Sequence, residues 1–190
     1  MFLLLAAVLI AADQISKFWV KGSFSLGHEF PLGLGFSLTY VQNNGAAFGM
    51  LRDLSVPLGS LTLDGTLLLG LLSAAVATVL LVYLLVNGRR LPALPLLGLT
   101  LIFSGAVGNM IDRLRLGYVV DFIHFQVPNF NFPVFNLADS CVVVGAALVL
   151  LSNVLPKRSA PRTAHQQDDA ELFRDFEFDP GLELNSPDRD

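Results

Sequence analysis

Apolar residues run almost unbroken through four stretches of the chain, at about 2–20, 66–86, 94–111 and 134–155. Each is close to the roughly 20 residues that a helix needs to cross a bilayer. Between the first two the pattern changes to period two, Phe36-Ser37-Leu38-Thr39-Tyr40-Val41, and then meets Asn43-Asn44-Gly45. That is the alternation of a strand running into a turn. Pro57, Gly59 and Gly65 mark further turns before the second span. The pattern predicts an all-α membrane bundle of four transmembrane helices over residues 1–156, with a small β-rich cap at about 22–65. Residues 157–190 show no apolar period and are expected to be a disordered acidic tail. The alternative for the first stretch is a secretory signal peptide ending near Ala11-Ala12, but it has no basic n-region.

Composition agrees with lipid as the solvent: 53% of residues are hydrophobic and 15% charged, and mean hydropathy is +0.61, which excludes an ordinary soluble domain. The net charge of −4 comes from acids crowded between Asp168 and Asp190, so it does not describe the bundle. The single cysteine, Cys141, excludes an internal disulfide. Arg89 and Arg90 follow the second span, and Lys157, Arg158 and Arg162 follow the fourth. The positive-inside rule then puts both termini in the cytoplasm and makes the cap extracytoplasmic. Lys17, Lys21, Arg52, Arg113 and Arg115 stand against that rule.

Two carboxylates sit where hydrocarbon makes them expensive: Asp121 in a run of β-formers and Asp139 at the start of the fourth span. Pro133 and Asn136 read as helix-start residues, which places Asp139 in a first turn where the helix dipole favours its anion. Asn136, three residues earlier, shares its face and can orient the carboxylate or a water. Among apolar neighbours Asp121 is expected to favour its neutral form. Two such acids brought close share a proton, one acting as acid and the other as base, and titrate as a unit. Asn109, Asp112 and Arg113 fall on one face of the third span, with Arg113 placed to neutralise Asp112 or to lean towards the two acids. Gly105 and Gly108 allow a neighbouring helix to approach. Asp13 and Lys17 have the favourable i, i+4 order for an ion pair.

Other chemistries find less support. His28, His124 and His165 are scattered and form no metal-ligand spacing. Ser104-Gly105 lacks a histidine on another span to activate the serine. No phosphate-binding glycine loop is present. No metal, cofactor or nucleic-acid partner is expected, and the chain is expected to act as a monomer. A transporter or proton channel also places acids in a bundle, but it should show inverted repeats or broken helices. A purely structural membrane subunit is the third possibility. A presenilin-type peptidase wants Gly-x-Gly-Asp, whereas Tyr118-Val119-Val120 precedes Asp121.

Four segments then occur in order: Asp13-Gln14-Ile15-Ser16-Lys17; Asn43-Asn44-Gly45-Ala46-Ala47-Phe48-Gly49; Gly108-Asn109-Met110-Ile111-Asp112-Arg113 continuing to Gly117-Tyr118-Val119-Val120-Asp121-Phe122; and Phe135-Asn136-Leu137-Ala138-Asp139-Ser140. Together they resemble the lipoprotein signal peptidase (signal peptidase II) family over about Ala11 to Leu155. The resemblance implies a bacterial plasma-membrane aspartic endopeptidase with its active site near the outer face. Its substrates would be diacylglyceryl-modified prolipoproteins, cut just before the lipid-bearing cysteine, and globomycin-type cyclic peptides would inhibit it. The family's catalytic pair falls on Asp121 and Asp139. Its supporting or substrate-binding residues fall on Asp13, Lys17, Asn43, Gly45, Asn109, Asp112, Arg113 and Asn136. Two features depart from the family: a short run before Asp13, and an acidic tail from about Ser159 in place of a short basic ending.

Overall fold

The computed structural model describes residues 2–45, 55–58 and 61–155. Helix α1 (Phe2–Ser23) leads into strands β1 (Glu29–Gly33) and β2 (Phe36–Asn43). A hairpin of β3 (Ser55–Leu58) and β4 (Leu61–Asp64) precedes α2 (Gly65–Asn87). Then come α3 (Ala93–Leu116), β5 (Val119–Val127), β6 (Phe130–Phe135) and α4 (Leu137–Val154). All four helices are long and apolar enough to cross a membrane. The chain divides after Leu155, and the expected acidic tail lies outside the described residues.

Four long apolar helices and a small antiparallel sheet are both present, and the all-α label describes the helices alone. A four-stranded antiparallel sheet, ordered β1-β2-β5-β6, takes half its strands from residues 119–135, outside the expected 22–65. Val134 and Phe135, expected in the fourth span, belong to β6. β-Branched and aromatic residues dominate 119–135, and the second hairpin has a partner in β2 through pairs such as Val41 with Asp121. Pro57, expected in a turn, pairs with Thr62 inside the short β3–β4 hairpin. Both of its strands are edges, where a missing donor is tolerated. Gly59 lies outside the described residues.

Helix ends follow their local chemistry. The Asp64 carboxylate accepts the Leu67 N–H at 2.7 Å and caps α2. Helix α3 runs past 111 to Leu116 and stops where Gly117 adopts a left-handed φ of +75°, donating to the Arg113 carbonyl at 3.2 Å. This extension keeps Asn109, Asp112 and Arg113 on helix right up to the sheet.

Helix α3 packs against each of the other three helices. Its contact with α4 is close because small residues face one another: a Cβ on Gly98 would lie 2.8 Å from the Gly145 carbonyl oxygen. One on Gly105 would collide with the Ala138 carbonyl and sit 2.7 Å from Val142 Cγ2. Gly105→Ala is therefore expected to destabilise the protein by about 1–3 kcal/mol, read as a lower thermal midpoint in detergent. An unchanged midpoint would mean that α4 shifts freely at this contact.

One apolar cluster, Ala6, Ala77, Leu84 and Phe103, joins α1, α2 and α3. A second, Val20, Tyr40, Val120 and Phe122, ties the end of α1 to the sheet. Alternation along β5 turns Val120 and Phe122 into that cluster, so Asp121 between them points the opposite way, towards the start of α4.

Candidate active site

Three elements meet where Asp121 points: the last turns of α3, strand β5 and the first turn of α4. Asn136 is the N-cap of α4, fully buried and with an extended backbone, a conformation that suits the residue before a helix. Its Oδ1 accepts the Asp139 N–H at 2.8 Å, and Asp139 Oδ2 accepts the Asn136 N–H at 3.2 Å. This reciprocal capping box fixes the Asp139 side chain relative to Asn136. The same asparagine's Nδ2 donates to Asp121 Oδ1 at 2.7 Å and to Asn109 Oδ1 at 3.1 Å. One buried amide thus binds both aspartates.

The remaining carboxylate oxygens are also held. Asn43 Nδ2 donates to Asp121 Oδ2 at 2.9 Å, and Asn109 Nδ2 donates to Asp139 Oδ1 at 2.7 Å. The Gly45 N–H donates to Asn43 Oδ1 at 3.1 Å, an Asx-type turn that leaves the Asn43 Nδ2 free to face Asp121. Burial, and next the charge of Asp139, push Asp121 from its ordinary 3.8 up to about 7; the bonds from Asn43 and Asn136 oppose the shift. Asp121 therefore exchanges its proton near neutral pH.

A fully paired ionic layer lies behind the aspartates. Lys17 Nζ contacts Asp13 Oδ2 at 2.9 Å, Asp112 Oδ2 at 3.0 Å and Asn109 Oδ1 at 3.0 Å, one acceptor for each ammonium hydrogen. Asn109 Oδ1 receives both Lys17 and Asn136, so its NH₂ is the end left to face Asp139. Asp13 Oδ1 accepts the Ala138 N–H at 2.9 Å, tying α1 to the first turn of α4. Asp112 Oδ2 accepts the Val120 N–H at 3.1 Å, tying α3 to β5. Gly108 makes room for this layer, since a Cβ there would lie 2.6 Å from Asp13 Oδ2.

The structure therefore brings Asp121, Asp139, Asn43, Asn109 and Asn136 into one cluster, with Gly45 shaping Asn43. Asp13, Lys17 and Asp112 stand immediately behind. The partner of Asp112 is Lys17, not Arg113. Adjacent helical residues do not face each other, and Arg113 Nε is buried with no hydrogen-bond partner among the described residues. Sequence reasoning gave no role to Gln14, whose Nε2 lies 3.1 Å from both Asp13 Oδ2 and Asp112 Oδ1. A polar residue inside an apolar run, next to a buried acid, was the available signal. Nor did it find Thr66, which donates to the Asn44 carbonyl at 2.7 Å and ties α2 to the turn after β2.

Known proteins resemble this chain over most of its length. A lipoprotein signal peptidase from Shewanella woodyi is 39% identical over 150 residues, covering 79% of this chain and 81% of that protein. One from Streptococcus pyogenes serotype M1 is 41% identical over 152 residues, covering 80% and 91%. A solved structure described as a bacterial membrane enzyme superposes with a TM-score of 0.68 at 26% identity, covering 84% of this chain and 94% of that one. The family described as Signal peptidase (SPase) II matches residues 5–155. That match takes in both aspartates, the three asparagines and the ionic layer behind them, and the chain belongs to the signal peptidase II family of membrane proteases.

Proposed function

We propose that this protein is an aspartic endopeptidase of the bacterial plasma membrane that removes signal peptides from diacylglyceryl-modified prolipoproteins, cutting just before the lipidated cysteine. The observation that carries the reading is the Asn136 amide holding Asp121 and Asp139 together at the end of the bundle. Arg89 and Arg90 beyond the opposite end of α2 favour, by the positive-inside rule, a site at the outer face and both termini in the cytoplasm. A substrate held by its apolar signal helix and its acyl chains needs only to slide laterally until the scissile bond reaches the pair.

The chemistry follows from a second carboxyl held beside Asp121, whose own proton stays on up to about pH 7. Asp121 enters protonated and donates to the scissile carbonyl oxygen, while Asp139 takes a proton from the attacking water. The tetrahedral intermediate collapses as Asp139 passes that proton to the leaving amine and Asp121 recovers its own from the new hydroxyl. Atoms and protons balance, and the pair returns to its starting state. Globomycin-type cyclic peptides are expected to occupy the same site.

The pH dependence has a definite sign. An acid raised to about 7 keeps its proton below that pH and loses it above. Turnover that needs the proton should therefore fall as pH rises through about 7. Asn43 donates to the charged form, so Asn43→Ala should move this alkaline limb to higher pH. A kcat/KM profile measures both effects, and a limb that stays put in Asn43→Ala would take the proton away from Asp121.

The reading itself is tested by incubating the purified protein in detergent with a diacylglyceryl-modified prolipoprotein, with and without a chelator. Cleavage before the modified cysteine, unaffected by chelation, is expected. No cleavage by well-folded protein would remove the assignment.

A further inference from the structure

A cavity of about 460 Å³ opens between the last turns of α1 and α3, and none of Asp121, Asp139, Asn43, Asn109 and Asn136 lines it. Its floor is Gln14, Lys17 and Asp112, and Lys21 and Arg115 stand at its sides. The polar groups of the floor already have partners. Lys17 spends its three hydrogens on Asp13, Asp112 and Asn109, and Asp112 accepts from Gln14 on one oxygen and from Lys17 and Val120 on the other. Lys21 and Arg115 differ: both are exposed and, among the described residues, neither forms a salt bridge. Lys21 is steadied over the Tyr118 ring, 5.7 Å from its centroid. Phe18, 81% exposed, and Leu116 add apolar surface to the same cavity.

Each cation alone has a simple explanation, since a helix C-terminus favours positive charge. That does not explain why two of them border one cavity with apolar walls and no available acid. The helix surface leading into the cavity, Ile15, Phe18 and Trp19, is exposed and apolar, so it meets lipid rather than water. We propose that the cavity binds the phosphate of an anionic glycerophospholipid. Lys21 and Arg115 hold the phosphate, and Phe18 and Leu116 lie along the glycerol and the first methylenes of the acyl chains. The volume suits a small organic group and is roomy for a bare phosphate ion. A zwitterionic headgroup would bring an ammonium, and the carboxylate that lines this cavity, Asp112, already accepts on both oxygens. This site does not depend on the peptidase reading.

The test is native mass spectrometry of the full chain in detergent, titrated separately with phosphatidylglycerol and phosphatidylcholine. One phosphatidylglycerol should bind saturably and phosphatidylcholine far more weakly. Lys21→Gln with Arg115→Gln should lower the apparent phosphatidylglycerol affinity by about 30-fold, and Lys21→Arg with Arg115→Lys should restore most of it. Equal binding of the two lipids, or undiminished affinity in a folded neutral variant, would overturn the proposal. Displacement of the lipid by excess inorganic phosphate would also overturn it, making this a site for the free ion. Should the neutral variant fail to fold, Leu116→Trp fills the cavity with both cations in place, and undiminished lipid binding there would count equally against the site.

Discussion

Asp121→Asn is expected to lower prolipoprotein cleavage by roughly 10³–10⁴-fold, and Asp139→Asn to do the same, each by removing one half of a shared acid-base function. The hydrogen bonds say what else these changes disturb. Both oxygens of Asp121 accept, from Asn136 and Asn43, and both oxygens of Asp139 accept, from Asn109 and the Asn136 N–H. An asparagine in either place turns one acceptor into a donor and sets two NH groups against each other, at a cost of about 1–3 kcal/mol. Activity must therefore be compared at equal folded fraction. Asp121→Glu supplies the control that keeps both acceptors and the charge but moves the carboxyl by one methylene. Misplacement on this scale costs about 100-fold. Retention of more than a tenth of parental activity by folded Asp121→Asn would move the proton chemistry to other residues.

Much of this site is legible in the chain because its parts are local. The i, i+4 order of Asp13 and Lys17 sets their ion pair, and Asn136 three residues before Asp139 sets the capping box. Apolar runs near the bilayer thickness give the four helices directly. The sheet is legible only in half. Strand β2 alternates visibly at its start, whereas Val119, Val120, Asp121 and Phe122 of β5 are buried on both faces and show no period. The bond from Asn43 to Asp121 depends on pairing between distant stretches of chain and on an irregularity between Leu38 and Val41, which no local pattern encodes. The Lys17–Asp112 pair likewise joins separate helices. Of the two roles open to Arg113, pairing with Asp112 is disfavoured by the helix itself, because the two are neighbours and neighbours diverge.

Lys17→Met should destabilise the protein by about 3–5 kcal/mol, more than either aspartate substitution, because it leaves buried charge without its partner. Lys17, Asp13 and Asp112 are each nearly inaccessible, and the cation lies within 3.0 Å of both carboxylates. Without it, two nearly inaccessible acids face each other with no cation between them. The damage should spread along the backbone, because Asp13 holds the Ala138 N–H and Asp112 holds the Val120 N–H, the residues just before Asp139 and Asp121. Arginine should not rescue it, since a planar guanidinium cannot aim three donors at the tetrahedrally placed acceptors Asp13, Asp112 and Asn109. Lys17→Met combined with Asp112→Asn should recover part of the loss, giving a coupling of about 0.5–3 kcal/mol in a double-mutant cycle. The catalytic penalty in whatever remains folded should be smaller than that of Asp121→Asn, because Asn136 still holds the Asn109 Oδ1 and so keeps its NH₂ on Asp139. Thermal midpoints in detergent, set beside cleavage rates per folded molecule, separate the two effects. A normal midpoint with cleavage lost would make Lys17 part of the chemistry itself, whereas a lowered midpoint with cleavage kept in the folded fraction fixes its role as the ion that holds α1, α3, β5 and α4 in register around the aspartates.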